Sequence, residues 1–272
     1  MTDPQQSSAT EQTVLYDVVD GVATITLNRP GAMNGLNIAT KVALRDAVTE
    51  AAGDDAVRCV VLTGTGRAFC VGQDLKEHVQ LLESGSSDQL FTTVEDHYNP
   101  IVTALATMPK PVVAAVNGVA AGAGASLAFA CDLRVLAESA GFNLAFPGVA
   151  LSCDTGASWT LPRLVGRAKA IELLYFPSTI PSAKALELGL ATTVVPDDQL
   201  VSEVASLAAK LAAGPTLSFA SMRQAVNFSS SHDFVESLAF EATKMTLTGA
   251  SEDHRNAVAA FVAKEKPTFH GR

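Results

Sequence analysis

The chain has little charge and few aromatic side chains: 17% of its 272 residues are Asp, Glu, Lys or Arg, and 6% are Phe, Trp or Tyr. Charge this sparse, beside 48% hydrophobic residues, excludes a chain left unfolded for want of a core. Cysteine is scarce too. Cys59, Cys70, Cys131 and Cys153 show no C-x-x-C spacing, which points to reduced thiols in a cytoplasmic protein. Positive charge is in deficit. Nineteen Lys and Arg against 28 Asp and Glu leave a net charge of −9, which argues against nucleic acid as a partner. No run reaches the roughly 18 apolar residues of a membrane span. The most apolar stretch, Pro111 to Ala130, is broken by Asn117 and several glycines, so no membrane partner is expected. Residues 1–12 are polar and resemble neither a signal nor a transit peptide; they are read as a frayed, disordered tail. No histidine, cysteine or acid spacing suggests a metal site.

What is present alternates in period. "TVLYDVVDGVATITLNRP" reads as two strands around Asp20-Gly21, a hairpin signal. Leu44, Ala47, Val48 and Ala51 fall at helical spacing behind Asn37, a possible N-cap. "RCVVLTG", "PVVAAV" and "DLRVLA" read as short buried strands with crossovers between them, an α/β pattern. Beyond Leu151 the texture turns helical. Gly189 closes "SAKALELGL", a helix is expected from Asp197 to Ala213, and others start near Pro215, His232 and Ser251. The expected division is a core over residues 13–213 and a helical region over 214–272.

Two glycine loops follow strands and precede apolar helical segments: "TGTGRAFCVGQDLKE" and "NGVAAGAGASLAFACD". Neither carries the Lys-Ser/Thr of a P-loop or a complete G-x-G-x-x-G. Two readings remain for such bare backbone. Small residues permit close packing, and exposed N–H groups at a helix start hold negative charge. Two donors converging on one point form an oxyanion hole.

In order along the chain, "LNRPGAMNGL", "VVLTGTGRAFCVGQDLKE", "PVVAAVNGVAAGAGASLAFACDLRV", "LPRLVGRAKAIELL", "AKALELGLATTVVP" and "AFVAKEKPTF" resemble the enoyl-CoA hydratase/isomerase family, the crotonase superfamily. The resemblance covers the chain from about Val14 onward. It implies a spiral of ββα turns, a helical C-terminal trimerisation region, and a homo-trimer or homo-hexamer. It implies a coenzyme A thioester as the small-molecule substrate, with no separate cofactor. The family's oxyanion donors fall on the backbone N–H of Gln73 and Ala123. Its coenzyme A contacts fall on Arg29, Val71 and Lys76, with Phe261 and Lys264 matching residues that reach a neighbouring subunit's ligand.

The resemblance stops at the acids. The two glutamates of a hydratase align with Ser126 and Phe146, which leaves them as pocket-shaping residues. Hydration needs a base for the water and an acid for Cα. Asp154, in "LSCDTGASW", matches the position where isomerases and a dehalogenase of the family place a carboxylate; it also suits a helix N-cap over Thr155–Leu161. The resemblance therefore implies an enoyl-CoA isomerase with Asp154 as its base. The alternatives are a hydratase, a 1,2-epoxyphenylacetyl-CoA isomerase-like activity, and a catalytically silent acyl-CoA-binding protein. Cys153 reads as a buried thiol, Trp159 as core, and Asp74 as a local loop stabiliser. His78 and His97 read as surface residues flanking a mobile segment, "LLESGSSDQL".

Overall fold

A computed structural model describes residues 12–84 and 87–272; the expected tail before residue 12 and positions 85–86 of the expected mobile segment lie outside them. The chain opens with the hairpin β1 (Val14–Val19) and β2 (Val22–Leu27), antiparallel with Val19 opposite Val22. Asp20 and Gly21 both take positive φ, 50° and 79°, as a tight turn matched to strand twist requires. Helix α1 (Ile38–Gly53) follows, and the Asn37 side chain accepts from the Thr40 N–H as its N-cap. Leu44, Ala47, Val48 and Ala51 are buried as their spacing predicts.

A repeating unit then takes over. A long strand, a short strand and a helix occur three times. The first turn has β3 (Cys59–Gly64) and β4 (Ala68–Cys70), then α2 (Leu75–Glu83) and α3 (Ser87–Thr93). A π-helical turn at Val94–Tyr98 leads into α4 (Asn99–Thr107). The second turn has β5 (Val112–Val116), β6 (Val119–Ala121) and α5 (Ala123–Ala130). The third has β7 (Leu133–Ala137) and β8 (Gly141–Asn143), with α6 (Ala157–Val165) and α7 (Arg167–Tyr175) beyond a 3-10 turn at Phe146–Val149. Then come β9 (Ile180–Pro181), α8 (Ser182–Glu187) and β10 (Thr193–Val195). Gly189, at φ 77°, follows the end of α8, as its C′ assignment requires.

The long strands pair as β1-β2-β3-β5-β7-β10 and the short ones as β4-β6-β8-β9. β3, β5 and β7 are parallel in one sheet while β4, β6 and β8 are parallel in the other. Two ladders climbing in step make a spiral. Asn117 stitches adjacent turns: its side chain accepts from the Gly64 N–H and donates to the Gly66 and Ala68 carbonyls. All eight residues of α5 are buried, so this helix forms the axis of the core rather than a surface layer.

The C-terminal part is helical, as expected: α9 (Leu200–Ala212), α10 (Thr216–Ser229), α11 (Phe234–Gly249) and α12 (Glu252–Ala263). Arginines fasten it to the spiral. Arg223 on α10 pairs with Asp132 at 2.7 Å and donates to the Leu105 and Met108 carbonyls. Arg58 reaches the Gly214 and Phe269 carbonyls and the Thr216 hydroxyl. Beyond these anchors large apolar side chains face outward, among them Phe234, Val235, Met245 and Phe261 at 73–83% exposure. No helix of the described residues is long and apolar enough to cross a membrane.

Candidate active site

The spiral brings the two glycine loops side by side. In the first, Cys70 ends β4, Gly72 turns at φ 81°, and Gln73 bridges to Leu36 before Asp74 caps α2. In the second, Gly122 turns at φ 51° and Ala123 begins α5. The closeness of the loops depends on their glycines. A Cβ on Gly72 would stand 2.9 Å from the Ala121 oxygen and 3.2 Å from the Ala123 nitrogen. A Cβ on Gly124 would stand 2.1 Å from the Cys70 oxygen. Packing and chemistry thus ask for the same small residues. Neither the Gln73 nor the Ala123 N–H donates to a backbone acceptor among the described residues, and both residues line one cavity. Ala123 is the first residue of its helix, where the N–H has no intrahelical partner.

That cavity has a volume of about 430 Å³. Its walls are mostly apolar, with Leu75, Val79, Leu82 and Phe91 from α2 and α3 facing Phe146, Val149 and Leu151. Asp154 is the one carboxylate among the described residues that line it. Its carboxylate accepts from the Thr155 hydroxyl at 2.9 Å. Burial raises the Asp154 pKa; the Thr155 hydroxyl, its own N–H and the charge on Lys41 pull the other way without cancelling it. Thr155 holds φ at 52°, a left-handed conformation that a β-branched residue rarely adopts.

Asp154 is not the N-cap that sequence suggests. α6 begins at Ala157, behind Gly156 at φ 78°, and no side chain caps it. Val71 and Phe146 line the cavity as expected. Ser126 does not: it is fully buried, and its hydroxyl back-bonds to the Gly122 carbonyl at 3.2 Å within its own helix. Arg29 is engaged inside the protein, paired with Asp74 at 2.8 Å and donating to the Gly35 carbonyl, so it braces the first loop. Burial pushes the Asp74 carboxyl up; the bonds from Arg29, Glu77 N–H and Lys76 N–H outweigh it and hold the group below its usual value. Lys76 is exposed on α2, and Phe261 and Lys264 lie exposed at the end of α12, none of them on this cavity. Trp159 is 42% exposed under the Arg163 guanidinium rather than core. Cys153 is half-buried.

Sequence reasoning missed a polar network behind the first loop. The Gln73 side-chain oxygen accepts from the Tyr98 hydroxyl at 2.6 Å and from Lys41 Nζ at 3.2 Å. Lys41 also donates to Thr93 Oγ1 at 2.6 Å, and that hydroxyl lies 3.1 Å from His97 Nδ1. His97 is therefore partly buried in a network rather than a surface residue, and burial together with Lys41 and Arg45 lowers its pKa. His78 lines the cavity, edge-on to Phe91. The available signal was Lys41 itself, one helical turn before Leu44 on the buried stripe of α1. Among the described residues no group of three or more His, Cys, Asp or Glu could hold a metal ion.

A double parallel ladder wound by ββα turns around a buried helix is the crotonase architecture, carried here by an acyl-CoA-processing enzyme. The chain belongs to the enoyl-CoA hydratase/isomerase family, whose model matches residues 17–272. It is 40% identical to the 1,2-epoxyphenylacetyl-CoA isomerase of Escherichia coli K12, over 95% of this chain and 98% of that one. It is 41% identical to a Rhodobacter capsulatus protein named as a probable enoyl-CoA hydratase, over 96% and 98%. A Mycobacterium abscessus crystal structure of the same hydratase/isomerase group superposes with a TM-score of 0.92 at 40% identity, covering 95% of this chain and all of that one. Relatives of both names thus stand at similar distance.

Proposed function

We propose that the protein is an enoyl-CoA isomerase that works with one carboxylate and an oxyanion hole. The observation that carries this reading is Asp154, the one carboxylate among the described residues lining a mostly apolar cavity, beside two N–H groups that donate to no backbone acceptor among those residues. The thioester carbonyl of an acyl-CoA accepts from the Gln73 and Ala123 N–H groups. Charge growing on that oxygen strengthens both bonds, so they favour the enolate over the ground state. Asp154 takes a proton from Cα of a 3-enoyl thioester, the electron pair spreads into a dienolate, and the same carboxyl returns the proton at Cγ. The product is the 2-enoyl thioester. A hydratase needs a second acid–base group for water. Phe146, in place of that second carboxylate, offers no proton.

A flat or cyclic acyl group is the second reading. The Phe146 ring faces the cavity, and the Escherichia coli relative is named for a phenylacetyl substrate. Parallel assays with 3-enoyl-CoA, crotonyl-CoA and a phenylacetyl-type thioester separate these activities; binding without turnover across all three would contradict the enzyme assignment of function.

Asp154 must be ionised to accept a proton. Its pKa is raised, so the ionised fraction is full well above the ordinary aspartate value of 3.8 and falls away as pH drops through the raised value. The expected pH profile of kcat/KM has an acid limb displaced above 3.8. A limb at or below that value would assign the base elsewhere.

The outward apolar residues of α11 and α12 support assembly through the helical end, as a trimer or a pair of trimers. A chain ending at Gly214 also loses Arg223, Thr216 and Phe269, the partners of Asp132 and Arg58. It is expected to run as a monomer or aggregate in light scattering. A truncated chain that remains a well-behaved trimer would contradict this.

A further inference from the structure

Lys41 is a charged side chain in a place where packing alone would take leucine. It sits on the inner face of α1, 1% exposed, in register with Leu44, Val48 and Ala51. Removing an ammonium from water is costly unless its protons find acceptors. The acceptors found are Gln73 Oε1 and Thr93 Oγ1, and the Tyr98 ring centroid lies 5.4 Å away. Lys41 enters no ion pair among the described residues. It does not line the cavity, so it meets no substrate atom.

What it does meet is the loop that carries the Gln73 N–H. The Gln73 carboxamide oxygen is held from two elements at once, by Lys41 from α1 and by the Tyr98 hydroxyl from the π-helical turn. Glu77 adds a third tie, its carboxylate accepting from the Ile38 N–H at the start of α1. With its side chain anchored by these bonds, the Gln73 backbone has little freedom to rotate its N–H off target. Thr93 completes the arrangement: its hydroxyl accepts from Lys41 and shares a 3.1 Å hydrogen bond with His97 Nδ1.

We infer that Lys41 is a positioning residue for the oxyanion site: through Gln73 it fixes the direction of that loop's N–H, and it keeps a positive charge behind the thioester carbonyl. The inference rests on the oxyanion role given to Gln73 above. It does not depend on which reaction follows, because every enolate at this site needs the carbonyl polarised. The groups facing Lys41 are Gln73 and Asp74 of the first loop, Glu77 of α2, Thr93 of α3, His97 and Tyr98 of the π-helical turn, and Asp154. Asp74, Glu77 and Asp154 are the acids among them, and Lys41 favours the ionised form of Asp154.

The test is Lys41→Met in the full-length protein, with Lys41→Gln as a second variant that keeps a neutral donor. Lys41→Met removes the cost of burying an ammonium, and Gln73 Oε1 keeps the Tyr98 hydroxyl as a donor, so the variant should fold with a melting temperature close to wild type. The direct readout is the thioester carbonyl stretch of a bound acyl-CoA labelled with carbon-13 at that carbon, measured by isotope-edited infrared spectroscopy. Wild type should lower the frequency relative to free ligand; Lys41→Met should return it toward the free value, and Lys41→Gln should fall between. With turnover, kcat should drop about 10- to 100-fold while KM changes little, and the acid limb of the pH profile should move upward. A folded variant of either kind with the wild-type carbonyl frequency would overturn the inference. Because the infrared shift is read on bound ligand, a wild type that polarises the carbonyl but isomerises no 3-enoyl-CoA would count against the isomerase reading alone.

Discussion

Asp154→Asn is expected to bind acyl-CoA as a folded protein and to lose isomerisation by at least about the 10²-fold typical of a missing general base. The local structure makes this substitution clean. The asparagine oxygen can keep the 2.9 Å bond from the Thr155 hydroxyl. No helix cap is lost, because α6 starts beyond Gly156 without a side-chain cap. A neutral amide is cheaper to bury than a carboxylate, so thermal stability should hold or rise. Stopped-flow or coupled assays with 3-enoyl-CoA give kcat, and calorimetry gives binding. A variant that binds and turns over at the wild-type rate would make Asp154 a structural acid, and His78, on the same cavity, would be the next base to test.

Ala123→Pro is expected to cost about 10²–10³ in kcat, the usual loss for one oxyanion donor. Proline removes the N–H outright. Elsewhere in a helix it would also break the fold, but Ala123 is the first helical residue, the position that tolerates proline best. Gly122 before it sits at ψ −124°, outside the helical region that a following proline disfavours. Part of the CoA affinity should remain through the first loop, around Val71 and Gln73. Unchanged circular dichroism with near-complete loss of turnover is the expected pair of results. Wild-type turnover in a folded variant would move the anion site elsewhere.

Local signals in the sequence carried far. The Asp20-Gly21 hairpin, the Asn37 cap, the stripe on α1 and the Gly189 stop depend on neighbours within a few residues, and each is found in place. The glycine loops were legible because backbone that must approach backbone leaves few residue choices. Pairings across the chain were not. Lys41 could be seen to fall on a buried stripe, but its partners Gln73 and Thr93 stand 32 and 52 positions away. Arg29 was read as a coenzyme A contact, and its partner Asp74, 45 positions distant, could not be seen from the sequence. Ser126 fell at a family position for a catalytic side chain, but a hydroxyl in a buried helix bonds back to its own turn, here to Gly122. Asp154 had two good readings, catalytic base and N-cap. Only the start of α6 at Ala157 removes the cap.

Proton NMR of wild-type enzyme with a 3-enoyl-CoA in heavy water tests the central claim most directly. A single carboxylate working against an oxyanion hole predicts loss of a Cα proton and growth of the 2-enoyl thioester, with no 3-hydroxyacyl product formed ahead of it. If the 3-enoyl substrate is left unchanged, its Cα protons unexchanged, while crotonyl-CoA is hydrated in the same tube, the one-base account is wrong and a second acid–base group must serve the cavity.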